Sequence, residues 1–123
     1  MKRILIVEDN DHKLERVKQA LGSDYEIVVV SDYKSAQKLI RDGTPNAFDL
    51  GIFDLNLPNF PGTWPEAGIG RYLIKENERF GTCSKAVILS NSSPQSSDKH
   101  PNWIVYDLFS KDWIDQLLAT LGD

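Results

Sequence analysis

The sequence has 123 residues, 41% hydrophobic and 26% charged, a size and balance that suit one globular domain with its own core. Its 18 Asp and Glu outnumber 14 Lys and Arg for a formal charge of -4, which argues against nucleic acid as the main partner. A single cysteine, Cys83, excludes an internal disulfide, the first apolar run meets Glu8 and Asp9 too early for a secretory segment, and no run approaches the roughly 18 apolar residues of a membrane helix. The chain therefore reads as a cytoplasmic protein with no membrane partner.

Ile4-Leu5-Ile6-Val7 is the first of four short apolar runs of strand length. Leu14, Val17 and Leu21 follow at helical spacing, then a second run at Ile27-Val28-Val29-Val30 and a second helical stripe at Ala36, Leu39 and Ile40. The third run, Leu50-Gly51-Ile52-Phe53, leads into a segment rich in breakers from Gly62 to Gly70, which predicts a loop before a third helix carrying Ile69, Tyr72, Leu73 and Phe80. After the fourth run, Ala86-Val87-Ile88-Leu89, the stretch Asn91 to Asn102 holds no apolar residue except Pro94 and Pro101, so a fourth helix there is expected to be short or irregular. Ile104 to Ser110 predicts the fifth strand, and Asp112 the N-cap of a last helix with Trp113, Ile114, Leu117, Leu118 and Leu121 on its stripe. Continuous rather than alternating apolarity marks strands covered on both faces, and strand alternating with helix marks right-handed βαβ units. The prediction is one α/β domain over residues 1–123: a (βα)5, doubly wound, parallel five-stranded sheet with helices on both faces.

In such a sheet ligands bind outside the carboxyl ends of the strands. Those ends carry Glu8 and Asp9, Asp54, Ser90 and Lys111. Each alone reads as a cap, a turn residue or a solvated charge; jointly they deliver a polar or charged group from four of five strands to one edge. Three carboxylates crowded together repel unless a cation sits among them, and an oxygen-only donor set suits a hard ion such as Mg²⁺ with a phosphoryl group. Asp54 can then act as nucleophile, Lys111 can neutralise phosphoryl charge and the Ser90 hydroxyl can donate to a phosphoryl oxygen, giving an aspartyl phosphate. His12 and His100 read as exposed side chains, Cys83 as a turn thiol without activation, and Gly68-Ile69-Gly70 lacks the third spaced glycine of a phosphate loop.

The run Ile4 to Asn10, with its acidic pair, and Asp54-Leu55-Asn56-Leu57-Pro58-Asn59-Phe60-Pro61-Gly62 together resemble the first strand and phosphoacceptor loop of response-regulator receiver domains, a likeness covering nearly the whole chain. The resemblance implies a flavodoxin-like three-layer sandwich with strand order 2-1-3-4-5. It implies Asp54 as the phosphorylated residue, Mg²⁺ bound by Asp9 and Asp54 directly, by Glu8 through water and by the Asn56 backbone carbonyl, with Ser90 and Lys111 in the conserved hydroxyl and lysine positions. It further implies a sensor histidine kinase or phosphotransfer protein as donor, small donors such as acetyl phosphate, and an output protein that reads the phosphorylated surface. A chain ending directly after its last helix is expected to be a stand-alone receiver. Departures from the pattern are Asp112 in place of the proline after the lysine, Asn91 in place of a small residue, a longer loop that includes Trp64, and a switch position at Leu108 flanked by Tyr106 and Phe109. The alternative is a pseudo-receiver that binds partners without phosphorylation. A flavin carrier is opposed by Asp9-Asn10-Asp11 after the first strand, and an aspartyl-nucleophile phosphatase by Asn56 where a second carboxylate belongs.

Overall fold

Asn10 and Asp32 show how local chemistry sets the elements: their side chains accept the backbone N–H of Lys13 and Ser35 and start the first two helices. The computed structural model describes residues 2–95 and 102–122. In chain order its elements are β1 (Lys2–Val7), α1 (Asp11–Leu21), β2 (Tyr25–Val30), α2 (Tyr33–Asp42), β3 (Leu50–Phe53), β4 (Leu57–Pro58), β5 (Pro65–Glu66), α3 (Arg71–Phe80), β6 (Ala86–Ser90), β7 (Trp103–Val105) and α4 (Asp112–Leu121). Five strands form one parallel sheet in the order β2-β1-β3-β6-β7, the predicted 2-1-3-4-5 arrangement of a flavodoxin-like fold. The two-residue strands β4 and β5 pair antiparallel as a small ribbon beside it.

Because successive strand residues face opposite sides, the apolar runs feed two cores. Leu5, Val7, Phe53 and Ile88 pack with Ala36 and Ile40 of α2 and Leu73 and Ile74 of α3. Ile4, Ile6, Ile52 and Leu89 pack with Val17 and Leu21 of α1 and Trp113, Leu117 and Leu121 of α4. The helical stripes read from the sequence thus reach the interior, except that Tyr72 and Leu118 stay exposed. At the far end of α3, buried Asn77 uses both side-chain polar atoms on the backbone of Cys83, and Gly81 closes the helix at a φ of 69°, a left-handed value that suits glycine. Burial pushes the Cys83 thiol up to about 12, which makes it a packing residue rather than a nucleophile.

Two predicted boundaries are corrected. The last strand stops at Val105 rather than continuing to Ser110, because its partner β6 ends at Ser90; the Tyr106 N–H to Ser90 carbonyl bond follows the last register pair. Beyond it, Asp107 and Ser110 bind the N–H groups of Phe109 and Asp112, turning the chain instead of extending it. The N-cap of α4 is Lys111, and Asp112 is the first helical residue. Of the polar stretch from Asn91 to Asn102, residues 96–101, His100 among them, lie outside the described residues; 91–95 and 102 are exposed and carry no helix.

Candidate functional site

At the carboxyl edge of β1 and β3, Glu8, Asp9 and Asp54 bring carboxylate oxygens within 4.8 Å of one another. Glu8 is buried and Asp54 is only 13% exposed at its side chain, so the cluster sits in a partly dry setting. Chain entry into the site is rigid. Asp54 N–H bonds the Val7 carbonyl, continuing the β1–β3 pairing, and Asp54 Oδ1 accepts the N–H of Leu55 at 2.8 Å. Asn10 N–H donates to Glu8 Oε2 at 3.2 Å. A cavity of about 370 Å³ opens over the cluster, walled by Lys13, Asn56, Pro65, Asn91 and Tyr106.

Sequence reasoning missed the cation that meets these carboxylates. Lys13 Nζ lies 2.8 Å from Glu8 Oε1 and 3.2 Å from Asp54 Oδ1, and donates to the Leu89 carbonyl at 2.6 Å. It also stands 5.4 Å from the centre of the Tyr106 ring. The signal was present: Lys13 is the third residue after the N-cap Asn10, and helical side chains lean toward the N-terminus, so a long side chain there reaches back over the strand ends. Reading only strand-terminal residues passes over it.

Burial pushes the Glu8 carboxyl up to about 7, reinforced by the negative charge of Asp54 and opposed by Lys13. Asp9 is also raised, by burial and then by Asp54. Such a set fits a hard divalent ion. Two oxygens on one Mg²⁺ at about 2.1 Å are at most about 4.2 Å apart, so carboxylates within 4.8 Å need little closing, or one bridging water, to share it.

The raised Glu8 value has a defined sign in stability. Below about pH 4.5 Glu8 is protonated in both the folded and unfolded chains; between 4.5 and 7 the folded chain holds more proton, so stability falls as pH rises. Asp9 adds in the same direction, whereas Glu76, held low by its bond to Arg41, acts oppositely at lower pH. Comparing the metal-free protein with Glu8→Gln isolates the Glu8 contribution. Urea titrations at pH 4.5 and 7.5 with EDTA are expected to show wild type losing up to about 3 kcal/mol relative to the variant. Equal pH slopes for the two proteins would remove this account of Glu8.

The structure places the other sequence-derived residues unevenly. Asn56 lines the cavity, and its Oδ1 accepts the Gly68 N–H at 2.9 Å, pinning the loop before α3. Ser90 is buried at the end of β6 with its hydroxyl accepting the Ser92 N–H, while its neighbour Asn91 lines the cavity. Lys111 is exposed at the start of α4, six residues beyond the last residue of β7, and forms no ion pair among the described residues. Of the switch candidates, Tyr106 is buried beside the cluster, Leu108 lines the cavity and is half exposed, and Phe109 is 97% exposed. His12 is exposed at the cavity rim, and Trp64, next to the lining residue Pro65, is 89% exposed.

No family model matches the chain. No curated protein matches it either. Solved structures do, response regulators among them. The response regulator TrrA of Thermotoga maritima, in complex with Mg²⁺-BeF, has 25% identity and a TM-score of 0.70 over 98% of this chain and 99% of that one. A complex of the histidine kinase ThkA with TrrA gives 24% identity and 0.66 over the same shares. The chemotaxis protein CheY4 of Vibrio cholerae has 20% identity and a TM-score of 0.66, over 99% of this chain and 97% of that one.

Proposed function

We propose that this chain is a phosphoacceptor receiver of a two-component or phosphorelay system, acting as a single receiver domain over residues 1–123 in the cytoplasm. The observation that carries the reading is the convergence of Glu8, Asp9 and Asp54 at the carboxyl edge of a sheet with receiver topology. Its similarity to a response regulator in complex with Mg²⁺-BeF supports a divalent ion at these carboxylates. Similarity to a regulator in complex with a histidine kinase supports a kinase, or a phosphotransfer protein, as donor.

Asp54 is the nucleophile. One of its carboxylate oxygens forms the new O–P bond while the bond from phosphorus to the leaving group breaks. That group, acetate from acetyl phosphate or the imidazole of a phosphohistidine, departs with the electron pair. Asp9 and Asp54 would hold Mg²⁺, with Glu8 acting through water and Asn56 through its backbone carbonyl, and the ion would supply charge neutralisation for the phosphoryl oxygens. Ser90 is the hydroxyl available at the end of β6, and Tyr106, Leu108 and Phe109 form the adjoining segment through which the phosphorylated state reaches an output protein.

Intact-mass spectrometry after incubation with acetyl phosphate and Mg²⁺ tests the assignment. One phosphoryl adduct is expected in wild type, and none in Asp54→Asn or with EDTA. An adduct that persists in Asp54→Asn would displace Asp54. No adduct from small donors or phosphohistidine donors would favour the phosphorylation-independent interaction module, in which Lys13 permanently occupies the carboxylate cluster.

A further inference from the structure

We propose that Lys13, reaching in from α1, is the lysine of this site and its built-in counter-charge, in the role that the resemblance assigns to Lys111. This rests on the reading of Asp54 as phosphoacceptor only for the phosphoryl half of the role; the counter-charge half stands on geometry alone. An ammonium group has three hydrogens, and three acceptors surround this one: Glu8 Oε1 at 2.8 Å, Asp54 Oδ1 at 3.2 Å and the Leu89 carbonyl at 2.6 Å. The side chain is 11% exposed, and the Tyr106 ring lies 5.4 Å from Nζ, so the charge is enclosed by acceptors and an aromatic ring. The Asn10 cap on the Lys13 N–H fixes the turn from which this side chain departs.

Lys111 is placed for something else. It is exposed, begins a helix six residues past the last residue of β7, and contributes nothing to the cavity wall. A lysine that sits at the end of its own strand is placed by the sheet; here β7 ends too early to do this. Lys13 and a divalent ion are consequently rival cations for the same carboxylates, Glu8 and Asp54. With a divalent ion bound, Lys13 would give up Glu8 while its ammonium remained beside Asp54 to meet the oxygens of a phosphoryl group there.

The test measures Mn²⁺ affinity by loss of the free-ion electron paramagnetic resonance signal, with Lys13→Met, Lys13→Arg and Lys111→Met beside wild type, and then adduct formation with acetyl phosphate at saturating metal. Lys13→Met is expected to bind Mn²⁺ at least tenfold more tightly and to form adduct at least tenfold more slowly. Lys13→Arg, which retains the charge, is expected to return the affinity toward wild type, and Lys111→Met to shift it at least tenfold less than Lys13→Met does. Should Lys13→Met unfold without metal, Lys13→Gln, which keeps a donor for the Leu89 carbonyl, makes the same comparison. Mn²⁺ affinity within twofold of wild type in the variant lacking the charge, or an equal shift from Lys111→Met, overturns the proposal. If no protein forms adduct but the affinity rises on loss of Lys13, the counter-charge role stands and the Asp54 reading fails; tighter metal with an unchanged adduct rate removes the phosphoryl half of the proposal.

Discussion

Trp113→Ala is expected to destabilise the protein by about 3–5 kcal/mol, the range for removing a large aromatic from a closed core. Trp113 is 1% exposed and packs among Leu117, Leu121 and the strand residues of its face. Its ring centre lies 5.0 Å from that of Tyr106 at an interplanar angle of 57°, a tilted pair that adds to the burial. Tyr106 in turn lies beneath Lys13, so the indole backs the ring that lies against the lysine of the carboxylate cluster. The indole N–H has no hydrogen-bond partner among the described residues. Trp113→Phe therefore sacrifices no hydrogen bond and is expected to cost less than half as much. Urea denaturation followed by circular dichroism reads both variants. A loss below about 1 kcal/mol for the alanine variant would show that this core relaxes around the gap.

Gly70→Ala carries a prediction whose sign decides between two causes. Gly70 has φ -59° and ψ -23°, ordinary helical values, and immediately precedes α3. On backbone preference alone alanine there would stabilise by up to about 1 kcal/mol. The surroundings forbid it. A β-carbon on Gly70 would collide with the Asp54 carbonyl oxygen and stand 2.9 Å from the Leu55 Cα, both backbone atoms with little freedom to yield. The Gly70 N–H bonds the Leu55 carbonyl at 2.8 Å, so the start of α3 is clamped onto the segment that carries the candidate nucleophile. The expected result is a loss of about 2–3 kcal/mol, together with a slower adduct rate because Asp54 is displaced from Glu8 and Asp9. An alanine variant as stable as wild type would mean that α3 moves away from Asp54 at no cost.

The parallel sheet followed from patterns that act locally, whereas its strand order was implied by the resemblance to receiver domains. Four uninterrupted apolar runs, each of strand length and separated by amphipathic stripes, have few compact solutions, because both faces of every strand must be covered. The acidic edge was legible for the same reason: once the strands are placed, Glu8, Asp9 and Asp54 fall at their carboxyl ends whatever the side-chain details. The C-terminal third was less legible. Where β7 ends depends on where its partner β6 ends, a fact about another part of the chain, and side chains of Asp107 and Ser110 then compete for the backbone.

What the sequence determined by itself was therefore the architecture and the set of carboxylates, since both follow from periodicity and from residues fixed to strand termini. What only the tertiary structure decided was which cation meets them. Lys13 and Lys111 are both near the right edge in sequence terms, and the choice between them turns on a helix start capped by Asn10 and a last strand that stops at Val105. A salt bridge spanning 41 residues is set by how helix and sheet pack, because a side chain's reach is measured from its backbone position in space.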